Sequence, residues 1–189
     1  MRRNATATRE RLLACARQRF LQESYETVAL RNVAGDAGVD VALIGRYFGS
    51  KEELFRAVLR KEDADWRELA AAAGDLPNFL ADLAASDDSK DAEHIENLLI
   101  MLRSAASPQA AAIVRSAFTT DVLAPFAKVL TGPQAEARAA MALSILVGTT
   151  IVRTILKLEN AYMCEGNVFR ERLADLLSVA LAPNSNKHA

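Results

Sequence analysis

Histidine, cysteine and tryptophan are scarce in this chain: 2, 2 and 1 in 189 residues. His94 stands beside an acidic stretch and His188 in the tail, and no Ser/His/Asp set, metal-ligand cluster or glycine-rich phosphate loop is visible. The residues therefore argue against an enzyme, and no cofactor or metal is expected. Cys15 and Cys164 are too few for a disulfide framework and follow no metal spacing, which suits two small apolar side chains in a reduced, intracellular protein. Aromatics are only 6%, and no stretch alternates polar and apolar for long enough to suggest a strand. No apolar run approaches the roughly 18 residues of a membrane span. The charged start "MRRNATATRE" leads into no apolar segment of the kind a secretory signal needs. The expected address is the cytoplasm, with no membrane partner.

What is present is helix. Hydrophobic residues make up 51% of the chain, ample for a packed core, and alanine and leucine lead among them. Their spacing predicts an all-α fold of about nine helices. The first runs from about Thr8 to Gln22, with Leu12, Leu13, Ala16 and Phe20 on one face. Thr27 is placed to cap a short second helix bearing Leu30, Val33 and Ala34, and Asp40 to cap a third that ends near Phe48. Ser50-Lys51-Glu52-Glu53 is a capping box opening a long fourth helix to about Ala73, with Phe55, Leu59 and Trp66 on its buried side. "GDLP" breaks the pattern, and a short helix precedes the polar stretch "SDDSKD". Ile95, Leu98, Leu99 and Leu102 mark another helix. Pro108 opens one to about Leu130, bent at Pro125. The last two run from Pro133 to about Leu158 and from Val168 to Leu181.

Charge is uneven along this pattern. Residues 1–60 carry 11 Lys+Arg against 7 Asp+Glu, and residues 61–189 carry 12 against 17, although the whole chain is nearly neutral at -1. A positive head on a negative body suggests that the two parts meet different partners. Within the head, residues 30–48 have the marks of two short helices meeting at a tight turn. Val33, Ala37, Val39, Ile44 and Tyr47 supply apolar contacts, Ala34 is the small residue where backbones cross, and Gly38 suits a turn of positive φ. These positions fit a helix-turn-helix, or else an ordinary helical hairpin.

"TRERLLACARQRF", "TVALRNVAGDAGV" and "IGRYFGSKEELFRAVL" resemble the N-terminal domain of TetR-type transcriptional regulators over about residues 8–60. The most specific parts are Tyr47-Phe48 followed by Ser50-Lys51-Glu52, and the spacing Arg31, Val33-Ala34, Ala37-Gly38-Val39. The resemblance implies a three-helix DNA-binding head at 1–50 and a helical ligand-binding and dimerisation body at 51–189. The helix from 51 is shared as connector. It also implies a homodimer on a near-palindromic operator in double-stranded DNA. On this reading Ile44 faces inward, while Val41, Ala42 and part of Leu43 face the major groove, where apolar side chains read thymine methyls and shape. Hydrogen bonding to bases falls to Arg46. Thr27, Tyr47 and Lys51 occupy phosphate-contacting positions by resemblance, and Arg31 is expected among the DNA-binding residues. Arg2 and Arg3 form either a minor-groove arm or a solvated tail. Two positions depart from the family pattern: Gly45 stands where a tyrosine is usual and costs about 1 kcal/mol of helix propensity, and Asp40 stands where Ser or Thr is usual, placing a negative charge near phosphates.

The resemblance implies a sequence-specific repressor released from its operator by a small hydrophobic or amphipathic molecule. The alternative is a DNA-binding dimer with no such inducer, controlled by a protein partner or by abundance. Trp66, Leu98, Met101, Leu102, Phe118 and Phe126 either line a ligand pocket or are plain core. Arg115 and Arg153 interrupt apolar stretches, either to meet an anionic ligand or to snorkel to an exposed face. The helix at 133–158 is rich in small residues: Ala139, Ala140, Ala142, Ser144, Gly148 and Thr149. With the last helix it can form a two-fold four-helix interface using Ala140, Ser144, Gly148, Phe169, Leu173 and Leu176, or pack only within its own subunit.

Overall fold

The computed structural model describes residues 2–60, 71–85, 92–158 and 167–183. Counting 108–129, which is continuous through a π turn, as one, these residues form nine helical stretches and no strand. In chain order they are α1 (Arg2–Gln22), α2 (Leu30–Asp36), α3 (Ala42–Phe48) and α4 (Lys51–Leu59), then α5 (Leu76–Ala85, entered through a 3-10 turn), α6 (Ala92–Ser104) and α7 (Pro108–Phe118). A π turn, Thr119–Leu123, leads to α8 (Ala124–Val129). α9 (Ala135–Thr150) runs on through a second π turn, Ile151–Ile155, and α10 is Val168–Leu181. Packing groups them into two compact units: Met1–Glu62 with Ala92–Phe118, and Asp63–Asp91 with Thr119–Ala189.

In the first unit α1 packs on α2, α4 and α6, and α4 also packs on α3 and α7. The predicted face of α1 is the buried one: Leu12, Ala16 and Phe20 are sealed, and Leu13 is half-buried beside them. Phe55 meets Phe20 edge-on with ring centroids 4.8 Å apart and Tyr25 at 5.0 Å, a geometry aromatic quadrupoles favour. Ile44, Leu54 and Val58 close the core. Three local expectations change. α2 begins after Ala29 with no side-chain cap, because the Thr27 hydroxyl is used one turn earlier, on the Ser24 carbonyl at 3.0 Å. α1 already includes Arg2 and Arg3, with no glycine or proline to stop it. α4 ends at Leu59, where Arg60 turns extended; residues 61–70 of the long helix expected to Ala73, with Trp66, lie outside the described residues, and Ala72 and Ala73 stand in the 3-10 turn Ala72–Asp75.

In the second unit α10 packs on α5 and α9, and α9 on α8, around Leu80, Phe126, Ala139, Ala142, Leu173 and Leu177. Pro125 lacks an N–H and would press on the carbonyl one turn back; the π turn just before it takes up the misfit that the sequence suggests as a bend. One sequence expectation is overturned here. Ala135–Ile155 is, by length and composition, apolar enough to cross a membrane, and only 17% of its most apolar stretch is buried. Arg138 and Arg153 near its ends, with Ser144, Gly148, Thr149 and Thr150 between, interrupt the strictly apolar run in the sequence.

Candidate nucleic-acid interface

The turn between α2 and α3 is built from the backbone. Gly38, at φ 63°, follows the last turn of α2; its N–H bonds to the Gly35 carbonyl at 3.0 Å, and the N–H of Val39 reaches back to Ala34 at 3.0 Å. That paired closure needs a left-handed residue, which glycine adopts without strain. Asp40 then starts α3: its Oδ1 accepts from the Ala42 N–H at 2.7 Å. The carboxylate is thereby engaged at a helix N-terminus, where negative charge is favoured. α3 ends at Gly49, φ 87°, and Ser50 caps α4 by accepting from the Glu53 N–H at 3.2 Å. Arg19 fixes α2 to α1 through two bonds to the Asp36 carboxylate, at 2.6 and 2.8 Å. This bidentate pair holds Asp36 below its ordinary carboxylate range.

α3 therefore divides cleanly. Ile44 is buried, and Leu43, Tyr47 and Phe48 lean on the core. Val41 (46% exposed), Ala42, Gly45, Arg46 and Gly49 follow one another at helical spacing on the outer side. Arg46 and Arg31 are exposed and make no ion pair among the described residues, so both guanidinium groups are available to a partner. Of the phosphate-contact candidates, Thr27 is exposed but shares its hydroxyl with Ser24, and Tyr47 is half-buried. Lys51 is half-buried too: its Nζ donates to the Glu26 carbonyl at 3.3 Å and lies 4.7 Å from the centre of the Tyr25 ring. Burial lowers its pKa, with Glu26, Glu52 and Glu23 pulling the other way. Burial first, and then the Glu52 carboxylate, push the Tyr25 phenol up to about 12.

The sequence does not announce what holds this surface in place. α6 and α7 carry a set of polar fastenings to it. Arg17 donates to Asn97 at 2.7 Å and to the Val58 carbonyl at 2.9 Å, and Arg103 to the Gln22 carbonyl at 3.2 Å. Gln109 donates to Glu52 at 2.6 Å, Arg56 to Ser116 at 3.3 Å, and Ser107 to the Glu26 carboxylate. Each pair is more than 40 residues apart in the chain, so no local period could have found it.

The candidate pocket residues fall in different places. Leu98, Met101, Leu102 and Phe118 belong to the first unit, where Met101 packs on the core and Leu102 is exposed. Phe126 belongs to the second and is 1% exposed in its core; Trp66 lies outside the described residues. Arg115 is exposed, and Arg153 donates to the Ala84 carbonyl at the end of α5, at 2.7 Å. The buried guanidinium is instead Arg138, unmarked in the sequence reading. It donates to the Leu181 carbonyl at 2.8 Å and to the Thr131 carbonyl at 2.6 Å, and it lies on a groove of about 320 Å³ with Leu76, Val129, Ser178 and Pro183. Of the candidate dimer residues, Leu173 is sealed in its own unit's core and Phe169 is half-buried against it. Ser144 and Leu176 are exposed, and Ala140 and Gly148 half-buried.

Comparison with protein families matches residues 12–58 to the bacterial regulatory proteins of the tetR family, and residues 81–181 to the tetracyclin repressor-like C-terminal domain. Comparison with curated proteins gives no match. Among solved structures the chain is similar to NalD of Pseudomonas aeruginosa, the secondary repressor of the MexAB-OprM multidrug efflux pump. The TM-score is 0.67 at 16% identity, over 97% of this chain and 100% of that one. It is similar to GusR of Salmonella enterica, with a TM-score of 0.61 at 19% identity over 93% and 95%. A transcriptional regulator from Rhodococcus sp. Rha1 follows at 0.53 and 23%, over 92% and 93%.

Proposed function

This chain belongs to the TetR family of bacterial regulators, DNA-binding proteins rather than enzymes, and we propose that it is a repressor that binds a near-palindromic operator as a homodimer. α3 is the recognition helix. The observation that carries this is its outer side: four small or apolar residues and one unpaired arginine, presented behind a closed turn. A helix with that face can enter a major groove about 12 Å wide and lie close to the base edges, with Arg46 free to address a guanine. Arg31, Thr27, Tyr47 and Lys51 flank it as phosphate contacts. The test is selection of a randomised duplex pool by the purified protein. Enrichment of a near-palindrome supports the reading, and recovery of no common sequence overturns it.

Release by a small hydrophobic or amphipathic molecule bound in the helical body, residues 51–189, completes the proposal; such a molecule need only favour a dimer whose heads sit at the wrong separation for the operator. One observation favours the second reading, control without an inducer: Phe126, a candidate pocket wall, is sealed in the core. Challenging the operator complex with a panel of apolar and amphipathic compounds separates the two. Release by at least one, with a raised melting temperature of the free protein, supports an inducer.

A further inference from the structure

The inference concerns Gly45 and rests on the reading of α3 as the recognition helix. Nothing among the described residues accounts for a glycine there. It lies inside the seven-residue helix Ala42–Phe48, not at an end. Its backbone is not left-handed, unlike Gly38 and Gly49 on either side of α3, so no turn requires it. A Cβ built on it meets no atom within 4 Å, so no close packing requires it either. A helix this short has no propensity to spare.

The position of the gap is what gives it meaning. Gly45 is on the outer stripe, one turn from Val41 and Ala42 and next to Arg46. An open notch with bare backbone as its floor therefore sits in the middle of the surface presented to DNA. A glycine on a surface otherwise at liberty to carry a side chain is found where a partner approaches the backbone closely.

We propose that Gly45 is a specificity-determining residue: its missing side chain lets α3 seat deeply in the major groove, with a thymine methyl in the notch between Ala42 and Arg46. A methyl fits because the floor offers Cα–H and neighbouring apolar carbon, and no free donor or acceptor. The helix's own hydrogen bonds use the polar backbone; the Gly45 carbonyl, for example, accepts from the Gly49 N–H at 2.9 Å. The deeper seat also shortens the reach that Arg46 must make to its base.

The duplex enriched by the wild-type protein from a randomised pool is the probe, with a scrambled duplex as the non-specific reference. Gly45→Ala removes a helix interior glycine and should raise the melting temperature by about 2–4 °C, yet weaken binding to the enriched duplex at least tenfold, leaving the scrambled duplex unchanged. Gly45→Leu should lose more. Uracil in place of one thymine of the half-site should weaken the wild type and leave Gly45→Ala unaffected. An alanine variant that is more stable and binds the enriched duplex as well as the wild type overturns the inference. Arg46→Ala serves as the control on the underlying reading: if it too binds the enriched duplex normally, α3 is not the recognition helix, and that reading fails instead.

Discussion

A single side chain can be committed inside the protein or to a partner, and Lys51 is the residue where that choice is sharpest. Its ammonium rests on the Glu26 carbonyl and over the Tyr25 ring, half out of water. Burial lowers its pKa, and three glutamates nearby oppose part of that shift. A phosphate arriving at the first turn of α4 would compete with a neutral carbonyl and a ring face, both weaker partners for a cation than an anion is. The ammonium should therefore swing to the phosphate. If it does, Lys51→Ala weakens binding to every sequence alike and lowers the slope of log affinity against log salt by about one. A slope that stays as it was in salt titrations would mean the ammonium remains on Tyr25. Arg46 should behave in the opposite way, its loss costing the enriched sequence far more than a scrambled one.

Helices are positioned by what closes their ends, and the second unit depends on one such closure. Arg138 takes the Leu181 carbonyl at the end of α10 and the Thr131 carbonyl before α9, while its side chain is 6% exposed. Carbonyls at a helix C-terminus carry partial negative charge, which a guanidinium offsets. Arg138→Met keeps most of the volume and leaves both carbonyls without that donor, so it should destabilise the protein by about 2 kcal/mol, read from the urea midpoint. A change near zero would show the carbonyls finding other donors. Nothing in the sequence marks Arg138 apart from Arg115 or Arg153, since all three sit among apolar neighbours; which one faces inward depends on α10, more than 25 residues further on. The same limit runs through the fold. Ile44, the Gly38 turn and the Ser50 cap were legible because local chemistry fixes them within five residues. The place of α6 and α7 against α1 and α4 was not, because Arg17, Arg103 and Gln109 find their partners across 57 to 81 residues of chain. Thr27 shows that even a local signal can be outbid: its hydroxyl was legible as a cap, and Ser24 took it.

At the scale of the molecule, exposed apolar surface is the feature that points beyond the single chain. On α10, Val168, Leu176 and Val179 lie at helical spacing on the side away from Leu173 and Leu177, and Val179 is 78% exposed. On α9, Ala137, Met141, Ser144 and Gly148 form a shallow stripe in which Met141 is the one long side chain, 57% exposed. Apolar residues clustered on two helices of one unit mark an interface more often than a solvent face. Small residues let the helices of two copies approach closely, and a two-fold pairing sets each stripe against its own counterpart. Such pairing also meets a requirement from the DNA side. One head reads too few base pairs to find a unique site among very many competitors, and two heads in fixed relation read twice as many. Charge in the stripe should then undo both at once. Val179→Lys and Gly148→Glu touch nothing in the subunit core, so each variant should keep its helical circular dichroism and its weak affinity for scrambled duplex. Light scattering should report half the wild-type mass, and binding to the enriched palindrome should fall by at least a hundredfold. A wild type that is monomeric at micromolar concentration while it holds the palindrome tightly would break the link between this surface and operator recognition.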